Sequence, residues 1–314
     1  DQTHYSDGFV LLMPLQQGIA VAVRPSSSSQ IVFSGEEKTW TVDRTDPPAW
    51  VLAVRHVLKE ILGEQRVDVA VVSTVPSVCC DGYFAALAVA LMRAVRHLDV
   101  PTVVDVESVQ GLRDELVPLL AGEVGAVTGR PYSTAYLLAT FAGREPAFTL
   151  VDTTTREYLP VETEARTELQ WAVFDPGGAE PRPSLFHRRR QKQADEALRI
   201  LRKNGFEGLE AFRDLEHRAL ERAIAALPAD LRPGARHLVT ENRRVQKHVA
   251  AMRRSDWQMI GALLLMSHAS QRDDWESTNG EADAVVEEAE TRTHDGIYGA
   301  CMTGRSGAVL VTGR

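Results

Sequence analysis

The residues best placed for chemistry follow a short apolar run in the first half of the chain. Val69 to Val72 lead into a turn that contains Gly82, and helix-forming residues continue from Ala85 to Met92. The free N–H groups and the positive dipole end at such a helix start favour a bound phosphate. A phosphate cradle usually needs several glycines, because only a residue without a Cβ lets the backbone close on an anion, and this turn has only Gly82. The turn therefore predicts either a phosphate loop or the ordinary entry to a buried helix.

Two of the cysteines lie in the same turn. Cys79 and Cys80 are adjacent, and Cys301 is remote. Cysteines placed in this way form no disulfide framework, and no paired cysteine and histidine spacing indicates zinc. We therefore expect no metal site, and we interpret Cys79 and Cys80 as small buried turn residues rather than as redox groups or metal ligands.

The composition restricts the class of protein. A chain of 314 residues is long enough for two domains, and a net charge of -8 argues against a general nucleic-acid binder. The sequence contains no signal peptide and no apolar run of about 18 residues, so we expect a cytoplasmic protein that does not insert into membranes. The chain starts at Asp1 rather than at a methionine and stops at Arg314 just after a strand-like run, so we expect both ends to be truncated.

The elements that must position these residues are predicted from the apolar periodicity. The first three are a strand pair over Gly8 to Arg24, a hairpin of Ile31 to Phe33 with Thr39 to Val42, and a helix whose apolar residues run from Trp50 to Ile61. Alternating strands and helices, up to a strand at Ala147 to Val151, favour a mixed α/β domain.

Beyond about Arg166 the sequence favours long amphipathic helices. These are predicted over Ser184 to Lys203, Leu209 to Ala226 and Asn242 to Arg254. Ser255 with Gln258 three residues later predicts a capping box for a further helix from Asp256. The change in character predicts a domain boundary near residue 166.

A polar pattern late in the chain is more specific than any of these elements. Ser267 to Val286 contains a Ser-His-x-Ser pair, an arginine beside acidic and aromatic residues, a Ser-Thr turn and a Glu-x-Asp on the next helix. This order resembles the galactokinase branch of the GHMP kinase superfamily. Arg236 to Val245 and Ser184 to Arg190 are similar to two other helices of that family, so the resemblance extends over essentially the whole chain.

The resemblance implies a two-domain α/β (α+β) fold. A mixed N-terminal domain would comprise residues 1–166 and a helix-rich C-terminal domain residues 167–314, with a cleft between them. The implied family activity is ATP-dependent phosphorylation of a galactose-like sugar at the anomeric hydroxyl, with ATP and Mg2+ as cofactors. A monomer that binds a small-molecule sugar, and neither nucleic acid nor membrane, is expected on the same grounds.

The family's first motif, normally Glu-His-Thr-Asp-Tyr, is similar to the start of this chain. Asp1, Gln2 and His4 occupy its three polar places and Tyr5 its last place. The resemblance therefore assigns these four residues to sugar binding. In the family, acidic side chains of this motif bind the sugar hydroxyls. Of the three polar residues here, only Asp1 is acidic.

The nucleotide loop and the glycine-rich third motif also depart from the family pattern. Val75 to Leu87 lacks the loop's alternating glycines and its serine cluster, and the residues left for nucleotide binding are Pro76, Ser77, Asp81 and Gly82. The third motif corresponds to Gly299 to Gly307, where Cys301 replaces a usual basic residue and Arg305 with Ser306 replaces small residues. Its candidate functional residues are Gly299, Met302, Thr303, Gly304 and Gly307.

The resemblance places the family's catalytic aspartate at Tyr136. No Asp or Glu occurs between Glu123 and Glu145, so a shift of a few residues would not restore a carboxylate. A phenol with a pKa of about 10 is a poor general base at neutral pH. We therefore assign no catalytic residue and retain Tyr136 only as a candidate sugar contact.

Three functions remain open. The first is a galactokinase-like protein whose phosphoryl transfer is impaired or lost, leaving ligand binding or a repurposed role. The second is an active sugar 1-kinase with an unorthodox site. The third is a non-catalytic module that binds a protein partner.

Overall fold

The computed structural model describes residues 3–27, 30–33, 38–41, 49–76, 79–98, 111–129, 132–142, 147–177, 184–305 and 307–314. The chain folds as two compact units. The large unit comprises Asp1–Pro14 and Gly143–Arg314, and the small unit comprises Leu15–Ala142.

Strands and helices occur in both units. The strands are β1 (Phe9–Leu12), β2 (Ile19–Pro25), β3 (Gln30–Phe33), β4 (Lys38–Thr41), β5 (Val67–Ser73), β6 (Phe148–Asp152), β7 (Tyr158–Val161), β8 (Gln170–Phe174), β9 (Ile297–Met302) and β10 (Val309–Gly313). The helices are α1 (Ala49–Leu62), α2 (Cys80–Val95), α3 (Val117–Thr128), α4 (Thr134–Ala142), α5 (Ala165–Glu168), α6 (Ser184–Lys203), α7 (Leu220–Ala225), α8 (Arg232–Arg253), α9 (Trp257–Asp273) and α10 (Gly280–Thr291). A π-helical turn, Leu112–Leu116, precedes α3.

The small unit is built on one sheet with helices packed against it. Its strands lie in the order β2-β5-β3-β4, with β3 parallel to β5 and the other pairs antiparallel. Val67, Val69 and Val71 alternate along β5 and are buried, as expected for a strand with one covered face. Helix α2 contacts β2, α1 and α4. The predicted β3–β4 hairpin, the strand at Val69 to Val72 and the helix at Ala85 to Met92 are confirmed. The helix already begins at Cys80, so Gly82 lies within it and not, as predicted, in the preceding turn.

The predicted strand pair over Gly8 to Arg24 is wrong. Its two halves form β1 and β2, but β1 pairs with β6 in the large unit, whereas β2 pairs along its whole length with β5 in the small unit. Because β1 belongs with β6 and β7, residues 3–14 and 147–166 lie in the large unit. This division therefore differs from the predicted domain boundary after residue 166.

The large unit combines two sheets, β1-β6-β7 and β8-β10-β9, with helices α5 to α10. Helix α9 packs very closely on β9. A Cβ added at Gly261 would lie 2.1 Å from the carbonyl oxygen of Tyr298, and one added at Gly299 would lie 2.2 Å from that of Gly261. Only glycine allows this approach, since no real Cβ fits within such distances.

Helix α6 matches its predicted bounds, Ser184–Lys203. The helix predicted from Asn242 begins earlier, at Arg232, and the other differences concern Leu209 to Ala226 and the cap of α9. The stretch Leu209 to Ala226 breaks into two single 3-10 turns and the short α7, because the Asp214 carboxylate accepts from the backbone N–H of Ala211 and closes a separate turn. At the start of α9, Asp256 rather than Ser255 is the N-cap, with its side chain accepting from Met259 N at 3.0 Å. None of the helices that the structure describes is long and apolar enough to cross a bilayer.

Candidate functional site

The predicted nucleotide loop leads into the first turn of α2. Pro76 accepts a hydrogen bond from the backbone N–H of Cys79 at 3.0 Å, and Ser77 lies outside the described residues. Cys79 is the half-buried N-cap residue, and its side chain makes no capping hydrogen bond. A Cβ added at Gly82 would meet only the Cβ of Cys79, at 4.0 Å. The packing of the described residues therefore does not itself require glycine at position 82.

Asp81 places a carboxylate inside this helix start. It lies in the first turn of α2 and is only 2% exposed. A carboxylate at a helix N-terminus interacts favourably with the helix dipole. A phosphate bound at the N-terminus of α2 would interact with the same end of the helix dipole. The carboxylate of Asp81 and the phosphate would then repel each other.

The predicted catalytic position lies beside this turn. Tyr136 is half-buried on α4, and its ring centroid is 6.0 Å from that of Tyr132. The hydroxyl of Tyr132 donates to the backbone carbonyl of Asp81. The structure therefore joins the candidate catalytic position to the start of α2 through Tyr132. Sequence reasoning missed this residue, although a tyrosine four residues before Tyr136 was a usable signal.

Helix α4 supplies no carboxylate for the magnesium that the resemblance implies. Helix α4 reads TAYLLATFA and contains no carboxylate. Nowhere in the described part of the chain do three His, Cys, Asp or Glu side chains gather closely enough to hold a metal ion. Magnesium prefers carboxylate and other oxygen ligands, and α4 supplies none beside the acidic start of α2.

The first-motif residues lie in the large unit. Asp1, Gln2 and the side chain of Tyr5 are outside the described residues, and His4 lies in a 3-10 turn, Thr3–Ser6. This turn is fixed by hydrogen bonds: Thr3 Oγ1 donates to the Phe9 carbonyl at 2.7 Å, and Phe9 N donates to Asn242 Oδ1 at 2.8 Å. The first motif is thus anchored on α8.

His4 is half-buried and neutral. Burial lowers its pKa well below the usual value, and the nearby positive charge of Arg305 and the ring of His187 lower it further. Arg305 lies in the third motif and His187 lies on α6. The structure therefore brings the first and third motifs together in the large unit, with a histidine that sequence reasoning did not single out.

The glycines of the third motif have structural roles in the β9–β10 connection. Gly304 and Gly307 have φ values of +68° and +89°, a region that other residues rarely adopt. Thr303 N donates to the Ala308 carbonyl at 2.7 Å and closes the turn. Gly299 lies on β9 at the close approach of α9. The positive φ values and the close approach of α9 explain why glycine occupies these three positions.

Met302 is held by side chains of the polar pattern that carried the resemblance. Its N–H donates to His268 Nδ1 at 3.1 Å, and its carbonyl accepts from Gln271 Nε2 at 3.0 Å. Because Nδ1 of His268 is an acceptor, the proton is on Nε2, which donates to Asp283 Oδ1 at 3.1 Å. The interpretation of His268 as a satisfied helix histidine, rather than a base, agrees with these contacts.

Other residues of the pattern form a second buried network. Glu241 Oε1 accepts from Ser267 Oγ at 2.5 Å, and Glu241 Oε2 pairs with Arg244 Nε at 2.5 Å. Ser270 Oγ lies 3.0 Å from His237 Nδ1. Buried polar groups require such partners, since an unmatched one costs about 1–3 kcal/mol. These residues of the pattern therefore form buried hydrogen bonds within the large unit.

Known proteins resemble the chain along nearly its full length, although no protein-family model matches it. The galactokinase of Chloroflexus aurantiacus is 29% identical over 315 residues, which cover 97% of this chain and 77% of that protein. The galactokinase of Thermotoga maritima is 28% identical over 324 residues, which cover 99% of this chain and 85% of that protein.

Solved structures share the fold. The crystal structure of Lactococcus lactis galactokinase complexed with galactose has a TM-score of 0.79 at 21% identity, covering 99% of this chain and 81% of that one. The Methanococcus jannaschii mevalonate kinase has a TM-score of 0.59 at 11% identity, covering 98% of this chain and 84% of that one.

The sequence and structural similarities agree with each other. Galactokinases align with 97–99% of the chain, and a galactokinase structure and a mevalonate kinase structure share its fold. The polar pattern from Ser267 to Val286 and its buried network lie within this common fold. The chain is therefore similar in sequence to galactokinases over nearly its full length, and it shares the fold of galactokinase and mevalonate kinase structures.

Proposed function

We propose that this protein binds a sugar in the manner of a galactokinase but has impaired or lost phosphoryl transfer. One observation carries the proposal. Helix α4, where the family's catalytic aspartate is expected, contains no carboxylate and presents Tyr136 instead. The family's ATP-dependent chemistry is therefore not expected at an ordinary rate.

The missing base has a calculable effect. A positioned general base contributes typically about 10²–10⁴-fold to a rate. A tyrosine hydroxyl with a pKa of about 10 is protonated at neutral pH and supplies little of this. Tyr136 instead lies against Tyr132, which bonds to the backbone of α2.

The start of α2 supports the same proposal from the nucleotide side. Phosphoryl transfer depends mostly on positioning and on neutralising the charge of the phosphates. Here the helix start holds Asp81 in its first turn, and Gly82 is the only glycine between Ser73 and Tyr83. Both features weaken the site that a triphosphate would need, so we expect weak binding of magnesium-ATP.

Retained sugar binding is the second half of the proposal. The first-motif turn is anchored to α8 through Phe9 and Asn242, as a preformed site requires. The related Lactococcus lactis galactokinase was crystallised with galactose. We therefore propose that a sugar binds at the first motif of this chain, with Asp1, Gln2, His4 and Tyr5 as candidate contacts.

Calorimetry on the purified chain tests both halves. Titration with sugars alone should give saturable binding, and titration with magnesium-ATP should give an affinity weaker than about 1 mM, or no heat. Gly82→Ala is the matched variant, because its Cβ has only van der Waals neighbours and the fold should be retained. Micromolar binding of magnesium-ATP that Gly82→Ala abolishes would contradict the proposal and favour an active kinase. Absence of any sugar binding would favour a partner-binding module.

A further inference from the structure

Asn242 on α8 is bound at both ends of its side-chain amide. The residue is only 2% exposed. Its Nδ2 donates to the Leu238 carbonyl, one turn earlier on the same helix, at 2.8 Å. A carbonyl can only accept, so this bond fixes the amide with Oδ1 turned towards Phe9, where it accepts from the backbone N–H at 2.8 Å. Asn242 therefore holds the backbone at the start of β1 with a single orientation of its amide.

Gly8 and Thr3 connect this amide to the first-motif turn. Thr3 Oγ1 donates to the Phe9 carbonyl at 2.7 Å, and Gly8 N donates to the Thr3 carbonyl at 3.1 Å. A Cβ added at Gly8 would lie 2.6 Å from Asn242 Oδ1 and 2.6 Å from Thr3 Cβ. Only glycine fits between them, because real Cβ atoms do not approach other atoms so closely. The Thr3–Ser6 turn is thus fixed relative to Asn242.

A second segment, the turn after β6, holds the same stretch of backbone. Thr153 donates twice to the Gly8 carbonyl, from Oγ1 at 2.7 Å and from its backbone N–H at 3.2 Å. Thr154 Oγ1 donates to the Asp7 carbonyl at 3.2 Å. This turn is itself fixed by Asp152, whose Oδ1 accepts from Thr154 N at 2.9 Å. The first-motif turn is therefore held by α8 and by the end of β6, which meet it only in the folded chain.

We infer that Asn242 and Thr153 are positioning residues, which hold the Thr3–Ser6 turn in the conformation that binds a sugar. The inference rests on the proposed sugar binding and adds to that site two residues that act on the first motif through its backbone. A site that is formed in only a fraction of the molecules binds more weakly in proportion to that fraction. If the loss of one hydrogen bond leaves the turn formed in about a tenth to a third of the molecules, the dissociation constant rises about three- to tenfold.

Three substitutions test this by calorimetric titration of the full chain with galactose, glucose and mannose. Thr153→Val keeps the shape of the side chain and removes the donor, whereas Thr153→Ser keeps the donor. Thr312→Val is the matched control, because it removes a buried hydroxyl on β10 that donates to the Gln170 carbonyl at 3.2 Å. We expect Thr153→Val to raise the dissociation constant of the sugar about three- to tenfold, and the other two variants to leave it within about twofold.

Urea unfolding separates positioning from stability. Thr153→Val and Thr312→Val each lose one hydrogen bond and should have similar midpoints, so stability alone would not make their sugar affinities differ. Equal affinities in these two variants would overturn the inference while leaving sugar binding intact, and so would Thr153→Ser binding as weakly as Thr153→Val. No heat with any of the three sugars in the unaltered chain would overturn the proposed function and the inference with it.

Asn242→Leu tests the second positioning residue. It removes the acceptor of the Phe9 N–H and should weaken sugar binding at least as much as Thr153→Val, because this N–H is left unpaired. Unchanged affinity in the folded variant would overturn the assignment of Asn242. If Asn242→Leu fails to fold, hydrogen exchange of the Phe9 amide in the unaltered chain decides. Protection without sugar is expected for a preformed turn, and exchange at the rate of an unfolded chain would overturn the assignment.

Discussion

Tyr136 is the residue on which the proposed loss of phosphoryl transfer depends. Its hydroxyl lies on a helix without carboxylates, and its ring lies 6.0 Å from that of Tyr132. The resemblance predicts the family's aspartate at this position, and no Asp or Glu occurs between Glu123 and Glu145. It did not identify Tyr132, whose importance depends on a contact with the start of α2 that no local pattern encodes.

Restoring the aspartate alone should not restore an efficient kinase. Tyr136→Asp returns a base worth about 10²–10⁴-fold, but the phosphates would still meet Asp81 and a loop with one glycine. We expect Tyr136→Asp to release ADP from ATP in the presence of sugar well below an ordinary kinase rate, even where it exceeds Tyr136→Phe, its matched control. A turnover of about 1–100 per second in Tyr136→Asp would contradict the reading of the nucleotide loop.

At the scale of elements, α9 and β9 approach each other very closely. Of the described glycines, those at this contact leave the least space for an added Cβ. Gly261 and Gly299 face each other where the helix crosses the strand. His268 and Gln271, also on α9, hold both backbone groups of Met302 at the end of β9. The helix therefore sets the position of the strand that leads into the third motif and Arg305.

Gly261→Ala should destabilise the large unit. Its Cβ would lie 2.1 Å from the carbonyl oxygen of Tyr298, so the helix and strand must separate, at a cost of about 1–3 kcal/mol or more. Gly280→Ala, at the first residue of α10, has no atom within 4 Å and serves as the control. Urea unfolding should give a lower midpoint for Gly261→Ala and an unchanged one for Gly280→Ala. Equal midpoints would show that the contact is not close in solution.

The elements differ in how far the sequence predicted them. Helix α6 and the β5–α2 segment were found because strong apolar periodicity and β-branched runs agree with their burial. The helix over Leu209 to Ala226 was wrong because a local turn at Asp214 competes with helix formation. The pairing of β1 with β6 joins residues far apart in the chain, and short strands carry no information about such partners.

At the scale of the whole molecule, buried neutral histidines link stability to pH. Burial lowers the pKa of His4, His237, His248 and His268, in the case of His237 to about 3. In the unfolded chain each histidine takes up a proton below about pH 6.5, whereas in the folded chain each stays neutral until its own lower pKa. Unfolding therefore binds protons, and the free energy of unfolding decreases as the pH falls through this window.

Acidification from pH 7 to pH 5 should therefore destabilise the protein. Each such histidine contributes a slope of about 1.4 kcal/mol per pH unit between its two pKa values. The urea midpoint should be lower at pH 5 than at pH 7, and His237→Gln should reduce the difference. His294→Gln, at an exposed position, is the control and should not. A midpoint that does not change between these pH values would contradict the burial of these rings.

The proposed function also belongs to the whole molecule, because it separates sugar binding from phosphoryl transfer within one family fold. The sequence predicted the family and the missing carboxylate. It could not predict that α6 packs against the first-motif turn, since these two segments meet only in the folded chain. This is the part of the candidate site that depends on tertiary structure alone.

The most direct test of the account is the turnover of the unaltered chain. ADP release should be measured with magnesium-ATP and saturating galactose, beside an active galactokinase as a positive control. We predict a rate at least about 10²-fold below the 1–100 per second that is ordinary for kinases. A sugar-dependent rate within that ordinary range would contradict it.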